Sequence, residues 1–207
     1  FHYYKWKYII GILVTVFSWN LLTTITAPKT PADKKIDIFL VGGYMLQEQA
    51  DEYAKAIKAD FPELLEVNIT NIEIEGDMGY AGWQKLMVMT GSQTGDIYSF
   101  PEETFKSMAE LGNFMPLDDY KELLSHFSEE QLKNYTFTTE YIPEPKIYGV
   151  PISDVESIGK SFFITENAVM GVTSYSQNSE KAVEGLKWIT EHKALVQYQN
   201  STDKQQN

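Results

Sequence analysis

Apolar residues fall into two regimes along this chain. From Tyr8 to Thr26 they run almost unbroken (YIIGILVTVFSWNLLTTIT), without a formal charge. At about 1.5 Å per residue such a run crosses a bilayer as a helix. Thr15, Ser18, Asn20, Thr23 and Thr24 dilute it. Tyr3, Tyr4, Trp6 and Tyr8 cluster before it like an interfacial aromatic belt. After Lys35 the pattern becomes that of a globular domain.

Ile36 to Val41 is apolar on both faces and stops at Gly42-Gly43, as a central strand of a parallel sheet does. Leu46, Ala50, Tyr53, Ile57 and Phe61 then recur at helical spacing, and Pro62 ends the helix. Glu66 to Glu75 reads as a second strand. Val67 and Ile69 alternate out of phase with Ile72 and Ile74, which predicts a bulge near Asn71. A helix from about Gly82 to Thr90 is expected to bury Trp83, Leu86 and Met87. Gly95 to Phe100 is a short third strand, and Pro101-Glu102-Glu103 opens a helix with Phe105, Met108 and Ala109 inward. The order β-α-β-α-β-α argues for an α/β sheet with right-handed crossovers.

Further on, Ser128 to Gln131 has capping-box spacing. Ile147 to Ile152 is a strand interrupted by Gly and Pro, and Ser161 to Ile164 and Ala168 to Thr173 are further strand candidates. Asn178 or Ser179 caps a last helix with Ala182, Val183, Leu186 and Ile189 on one face. Residues 194–207 form a polar tail expected to fray.

Composition narrows the function classes. A chain of 207 residues holds one domain plus appendages, and 43% hydrophobic content is ordinary for a folded one. A net charge of −12 disfavours nucleic acid. With no Cys there is no disulfide, thiolate metal site, iron–sulfur cluster or lipoprotein anchor; all 17 basic residues are Lys, so no guanidinium clamp exists. His2, His126 and His192 form no metal-spaced pair. No G-x-S-x-G elbow or G-x-x-x-x-G-K phosphate loop occurs, so no catalytic residue, metal or cofactor is assigned.

Five Lys but only one acid, Asp33, lie in residues 1–35, whereas the body is acidic. Lys5 and Lys7 favour a cytoplasmic N-terminus, with Lys29, Lys34 and Lys35 weakening the asymmetry. An uncleaved anchor is the favoured reading. A cleaved signal peptide competes, although Ile25 is not the small residue wanted three positions before Pro28. A buried helix would need the polar face this run lacks. The expected organisation is an anchor or uncleaved signal over 1–27, a linker over 28–35, an α/β domain over 36–193 and the tail. That places a single-pass protein in the cell membrane with its main domain outside the cytoplasm.

Several motifs then resemble the extracellular solute-binding proteins of ABC importers, in the sugar-binding group. The first strand with Gly42-Gly43-Tyr44 looks like that family's opening. Gly82 to Leu86 followed by Thr94-Gly95-Asp96-Ile97-Tyr98 is similar to its helix and its "G-D-x-P-D" step, without the Pro. Met115-Pro116-Leu117-Asp118-Asp119-Tyr120 resembles its "x-P-L-D-D-Y" segment. Tyr148-Gly149-Val150-Pro151 resembles the "Y-G-x-P" strand where the chain crosses to a second lobe, and Ser176 to Ile189 its "S-K-N-x-E-x-A" helix. The resemblance implies a periplasmic-binding-protein-like single lobe, a mostly parallel sheet flanked by helices, preceded by one transmembrane helix. Family members have two lobes and about twice this length; here only a few residues separate the crossover strand from the returning segment, which predicts a single lobe.

Ligands of open α/β sheets sit beyond the carboxyl ends of the strands. That rule nominates Gly43 and Tyr44 after the first strand, Asp77 and Tyr80 after the second, and Ser99 and Phe100 after the third. Trp83 is a core or a sugar-stacking residue, and Tyr148 would line the lobe crossover. Gly42-Gly43 reads more readily as a plain turn, Tyr44 equally as a surface aromatic, and Glu73, Glu75 and Asp77 as a solvated face ahead of a weak cation site. The resemblance implies a non-catalytic role: capturing a small solute, of carbohydrate type, or assisting an ABC transporter permease or another envelope protein. The alternative is a protein-interaction module that has lost small-molecule binding.

Overall fold

A computed structural model describes residues 5–26, 30–153, 155, 158, 163 and 167–191. The strand expected over 161–164, apart from Phe163, and the tail over 194–207 lie outside the described residues. The chain divides into two units, residues 1–31 and 32–207.

In the first unit, Lys5–Thr26 is one helix (α1). Three threonine hydroxyls bond back within the helix: Thr15 Oγ1 donates to the Gly11 carbonyl (2.8 Å), Thr23 to Trp19 (3.0 Å) and Thr26 to Leu22 (2.7 Å). These back-bonds let polar residues sit in an apolar run without leaving a donor exposed to lipid. The segment Trp6–Thr23 is long and apolar enough to cross a membrane.

The second unit is a mixed α/β domain. A 3-10 turn, Ala32–Lys34, leads into β1 (Lys35–Gly42). Then follow α2 (Gln47–Asp60), β2 (Glu66–Glu73), α3 (Gly79–Gly91), β3 (Ile97–Pro101) and α4 (Glu102–Glu110). Two short helices, α5 (Lys121–Leu124) and α6 (Glu129–Lys133), precede β4 (Thr136–Phe137), β5 (Lys146–Ile147) and β6 (Val150–Pro151). The described elements end with β7 (Ala168–Val172) and α7 (Ser179–Glu191). The main sheet has the order β2-β1-β3-β7-β6, and β4 pairs with β5 separately. β1 runs parallel to β2 and β3; β7 is antiparallel to both β3 and β6. Four strands therefore point one way and β7 the other.

The sheet is covered on both faces, which is why β1 is apolar throughout. Ile36, Ile38 and Leu40 join Tyr53, Ile57, Leu186 and Ile189 from α2 and α7. Phe39 and Val41 face the other way, toward Leu86, Phe105 and Ala109 from α3 and α4. An aromatic file runs through this second core: Phe39 stacks on Tyr98 at 4.9 Å, and Tyr98 on Phe100 at 5.5 Å.

The bulge expected near Asn71 does not form. β2 pairs with β1 residue for residue from Glu66 to Glu73. Ile69 feeds one core and Ile72 the other, so the change of phase records two buried faces. The expected strand over 147–152 divides instead: β5 pairs with β4, β6 with β7, and Tyr148-Gly149 lies between. Ser128 forms the expected capping box with Gln131, and Ala182, Val183, Leu186 and Ile189 are the buried face of α7 as read.

Buried polar groups fasten the amino edge of the sheet. Asp96 accepts from the main-chain N–H of Asp37 (2.9 Å) and from Ser176 Oγ (2.6 Å), tying β1, β3 and the approach to α7 together. Asn178 adds bonds from Nδ2 to the carbonyls of Asp33 and Lys35, both at 3.1 Å. Elsewhere, Asp118 holds β5 by accepting from the Ile147 N–H (3.1 Å).

Candidate functional site

The carboxyl ends of β1, β2, β3 and β6 define one edge of the sheet. Its two halves differ. On the β1–β2 side the chain leaves β1 through Gly42-Gly43, and Asn71 Nδ2 donates to the Gly43 carbonyl (3.1 Å), fixing that turn to β2. Tyr44 follows with 59% of its surface exposed. Beyond β2, Asp77 lies exposed in a 3-10 turn, Gly76–Met78, that runs directly into α3.

Glycines seat the start of α3. A Cβ on Gly82 would come within 1.8 Å of the Glu73 carbonyl oxygen, and one on Gly79 within 2.8 Å of the Ile74 oxygen. The helix backbone therefore rests on the end of β2, and Tyr80 and Trp83 project away, 77% and 38% exposed. This corrects the expectation that Trp83 and Met87 are core residues: Leu86 is fully buried, whereas Met87 is exposed. The anchoring face of α3 is built largely from glycine, which leaves no hydrophobic signature.

On the β3–β6 side the edge is closed. β3 extends to Pro101, so Ser99 and Phe100 lie inside the ladder, opposite Met170 and Val169, and both are buried. Tyr148 is 1% exposed and stacks on Phe137 at 5.2 Å. Among the described residues, the hydroxyls of Ser99 and Tyr148 have no hydrogen-bond partner. Residues 152–167 join β6 to β7 where the resemblance places a second lobe. Ile152, Ile158 and Phe163 from that stretch are buried in one cluster with Met45 and Ala168, and Phe163 forms an antiparallel bridge with Met45. Of the eight nominated residues, the structure places Gly43, Tyr44, Asp77, Tyr80 and Trp83 beyond the ends of two adjacent strands. It places Ser99, Phe100 and Tyr148 in the interior.

The most perturbed ionisable groups lie at the opposite, amino edge. Burial raises the Asp96 carboxyl above the usual carboxylate range; the bonds from Ser176 and the Asp37 N–H oppose that. Its hydrogen bond to Asp37 raises Lys35. Burial pushes the Tyr175 hydroxyl up to about 12. Asp96 is not among the residues nominated from sequence, because its partners Asp37 and Ser176 are distant in the chain. Among the described residues, no group of three or more His, Asp or Glu side chains is placed to hold a metal ion.

No family model matches this chain, and no curated protein matches it. Solved structures do. One is an extracellular solute-binding protein family 1 from Alicyclobacillus acidocaldarius, 18% identical, covering 56% of this chain and 27% of that one with a TM-score of 0.45. Another is a periplasmic solute-binding protein from Pectobacterium atrosepticum, 22% identical, covering 57% and 27% with a TM-score of 0.42. A third is an ABC substrate-binding protein from Listeria monocytogenes in complex with cycloalternan, 21% identical, covering 56% and 28% with a TM-score of 0.40. These three are solute-binding or substrate-binding proteins, and this chain spans about a quarter of their length.

Proposed function

We propose that this chain is a membrane-tethered, extracytoplasmic, non-catalytic domain that captures a small solute of carbohydrate type on an open aromatic face and assists an ABC transporter. The observation that carries this reading is the exposure of Tyr44, Tyr80 and Trp83 beyond the adjacent ends of β1 and β2. A rigid seat holds the last two, since Gly79 and Gly82 rest on β2. Aromatic rings kept in water above the strand ends suit the apolar face of a sugar ring. The motif resemblance supplies the transporter context, and α1 supplies the tether.

One lobe contacts one side of a ligand, whereas good small-molecule sites bury about 70–90% of theirs. Binding by the chain alone is therefore weak. The second reading, a protein-interaction module, is favoured by one observation: Met45, Ile152, Ile158 and Phe163 fill the deep half of the edge with the protein's own core. In that case the same aromatic face contacts a partner protein.

A thermal-shift titration of the full chain in lipid nanodiscs, with maltotriose, cellotriose and chitotriose, separates the two. Solute capture predicts a saturable rise in midpoint that Trp83→Ala diminishes. A flat response to all three saccharides from a cooperatively folding domain supports the interaction module.

A further inference from the structure

A concavity lies at the amino edge of the sheet, away from the aromatic face described above. Its volume is about 380 Å³, and its lining includes Gln93, Gly112, Asn113, Tyr141, Ser174 and Tyr175. It gathers three crossings of that edge: the turn from α3 to β3, the end of α4, and the residues after β7. None of its lining residues is an Asp, Glu, Lys or His. In a chain with a net charge of −12 that is a selective surface. It suits a neutral polar ligand, because an ion entering here would lose hydration without gaining a counter-charge.

Its shape is built rather than incidental. Gly112 sits at φ +79°, and a Cβ there would come within 2.8 Å of Cδ2 and Cε2 of Tyr141. The Tyr141 ring is thereby laid on the main chain of the α4 end while remaining 71% exposed. Ser174 Oγ donates to the Gly112 carbonyl (2.7 Å), which commits its proton and leaves its oxygen as an acceptor. Asn113 Nδ2 donates to the Met108 carbonyl (3.0 Å), which fixes that side chain. Tyr175 is half-buried, and burial pushes its hydroxyl up to about 12, so the phenol is neutral at ordinary pH.

Gln93 adds an independent sign. It follows α3 at φ +52°, a left-handed position where glycine is the usual residue. Its N–H bonds to the Thr90 carbonyl (3.0 Å) and the next N–H, of Thr94, to Met89 (2.9 Å), closing the helix end. A side chain at such a position is strained relative to glycine. Here that side chain lines the concavity.

We infer that the concavity between Gln93, Asn113, Tyr141 and Tyr175 is a binding site for a neutral saccharide, with the Tyr141 ring as platform and the amides and hydroxyls as rim. The site is independent of the reading above: it stands at the opposite edge and uses none of the same residues.

The test is nuclear magnetic resonance of the full chain in lipid nanodiscs, observing the side-chain amides of Gln93 and Asn113 while maltotriose, cellotriose and chitotriose are titrated. Sugar-based detergents are avoided as competitors. The inference expects saturable shifts of both amides for at least one trisaccharide. Affinity should fall about tenfold in Tyr141→Ala, as loss of one aromatic platform implies. Tyr141 is exposed, so its truncation leaves the fold intact, which the remaining spectrum verifies. Absence of a saturable shift up to about 50 mM, well beyond any useful affinity, overturns the inference. So do shifts that survive Tyr141→Ala unchanged. Shifts confined to the Trp83 indole overturn it while supporting the aromatic face at the other edge.

Discussion

Gly82 of α3 lies against the main-chain carbonyl of Glu73, the last residue of β2, so closely that a Cβ would stand 1.8 Å from the oxygen. That contact sets the height and direction of the helix that carries Tyr80 and Trp83. It makes the aromatic face a consequence of backbone packing. Gly82→Ala must push α3 off β2, and is expected to destabilise the domain by about 2–4 kcal/mol, in the upper range for overpacking. Gly91, at the other end of the same helix, has nothing within 4 Å of its would-be Cβ. Gly91→Ala should be neutral or stabilising by up to about 1 kcal/mol. Chemical denaturation of the two variants side by side checks both.

Phe163 tests whether the stretch between β6 and β7 belongs to the core. It is 1% exposed and bridges Met45. Phe163→Ala should cost about 3–5 kcal/mol, as a buried phenylalanine does. A loss below about 1 kcal/mol would mean that this side chain lies in water.

Asp96 predicts a pH dependence with a definite sign. Burial raises its folded-state value above the usual carboxylate range. Its contribution to stability is therefore fully present below the unfolded carboxylate value, about 3.9. It is lost as pH rises through the raised folded value. Asp96→Asn removes the titration and forfeits one of the two accepted bonds. Denaturation between about pH 3.5 and pH 7 should show the wild type losing ground to Asp96→Asn as pH increases; a constant difference would contradict this.

Trp83 is partly exposed and outside both cores, so Trp83→Ala should change stability by less than about 1 kcal/mol. Its burial in a complex with a saccharide or partner predicts a much larger effect on binding than on folding. Parallel thermal denaturation and binding titrations measure the two.

The architecture was legible because burial on both sheet faces writes a clear pattern. Ile36 to Val41, the Ala182–Ile189 face and the Ser128–Gln131 box each appear where their residues say. The errors have specific causes. β2 is buried on both sides, so Ile69 and Ile72 belong to different cores and mimic a bulge. α3 binds through glycines, so Trp83 and Met87, its largest apolar residues, misdirect a reading by hydrophobicity. Ser99 and Phe100 were nominated as strand-end residues, yet β3 runs on to Pro101 and encloses them. The Asp37–Asp96–Ser176 junction joins residues far apart in sequence, and no local spacing announces it.

The most direct measurement is a titration of the full chain in lipid nanodiscs with the same three trisaccharides, following the Trp83 indole N–H resonance. Solute capture on the β1–β2 aromatic face predicts a saturable shift of that resonance for one saccharide, lost in Tyr80→Ala. An indole resonance that stays fixed for all three up to about 50 mM, in a folded protein, contradicts it.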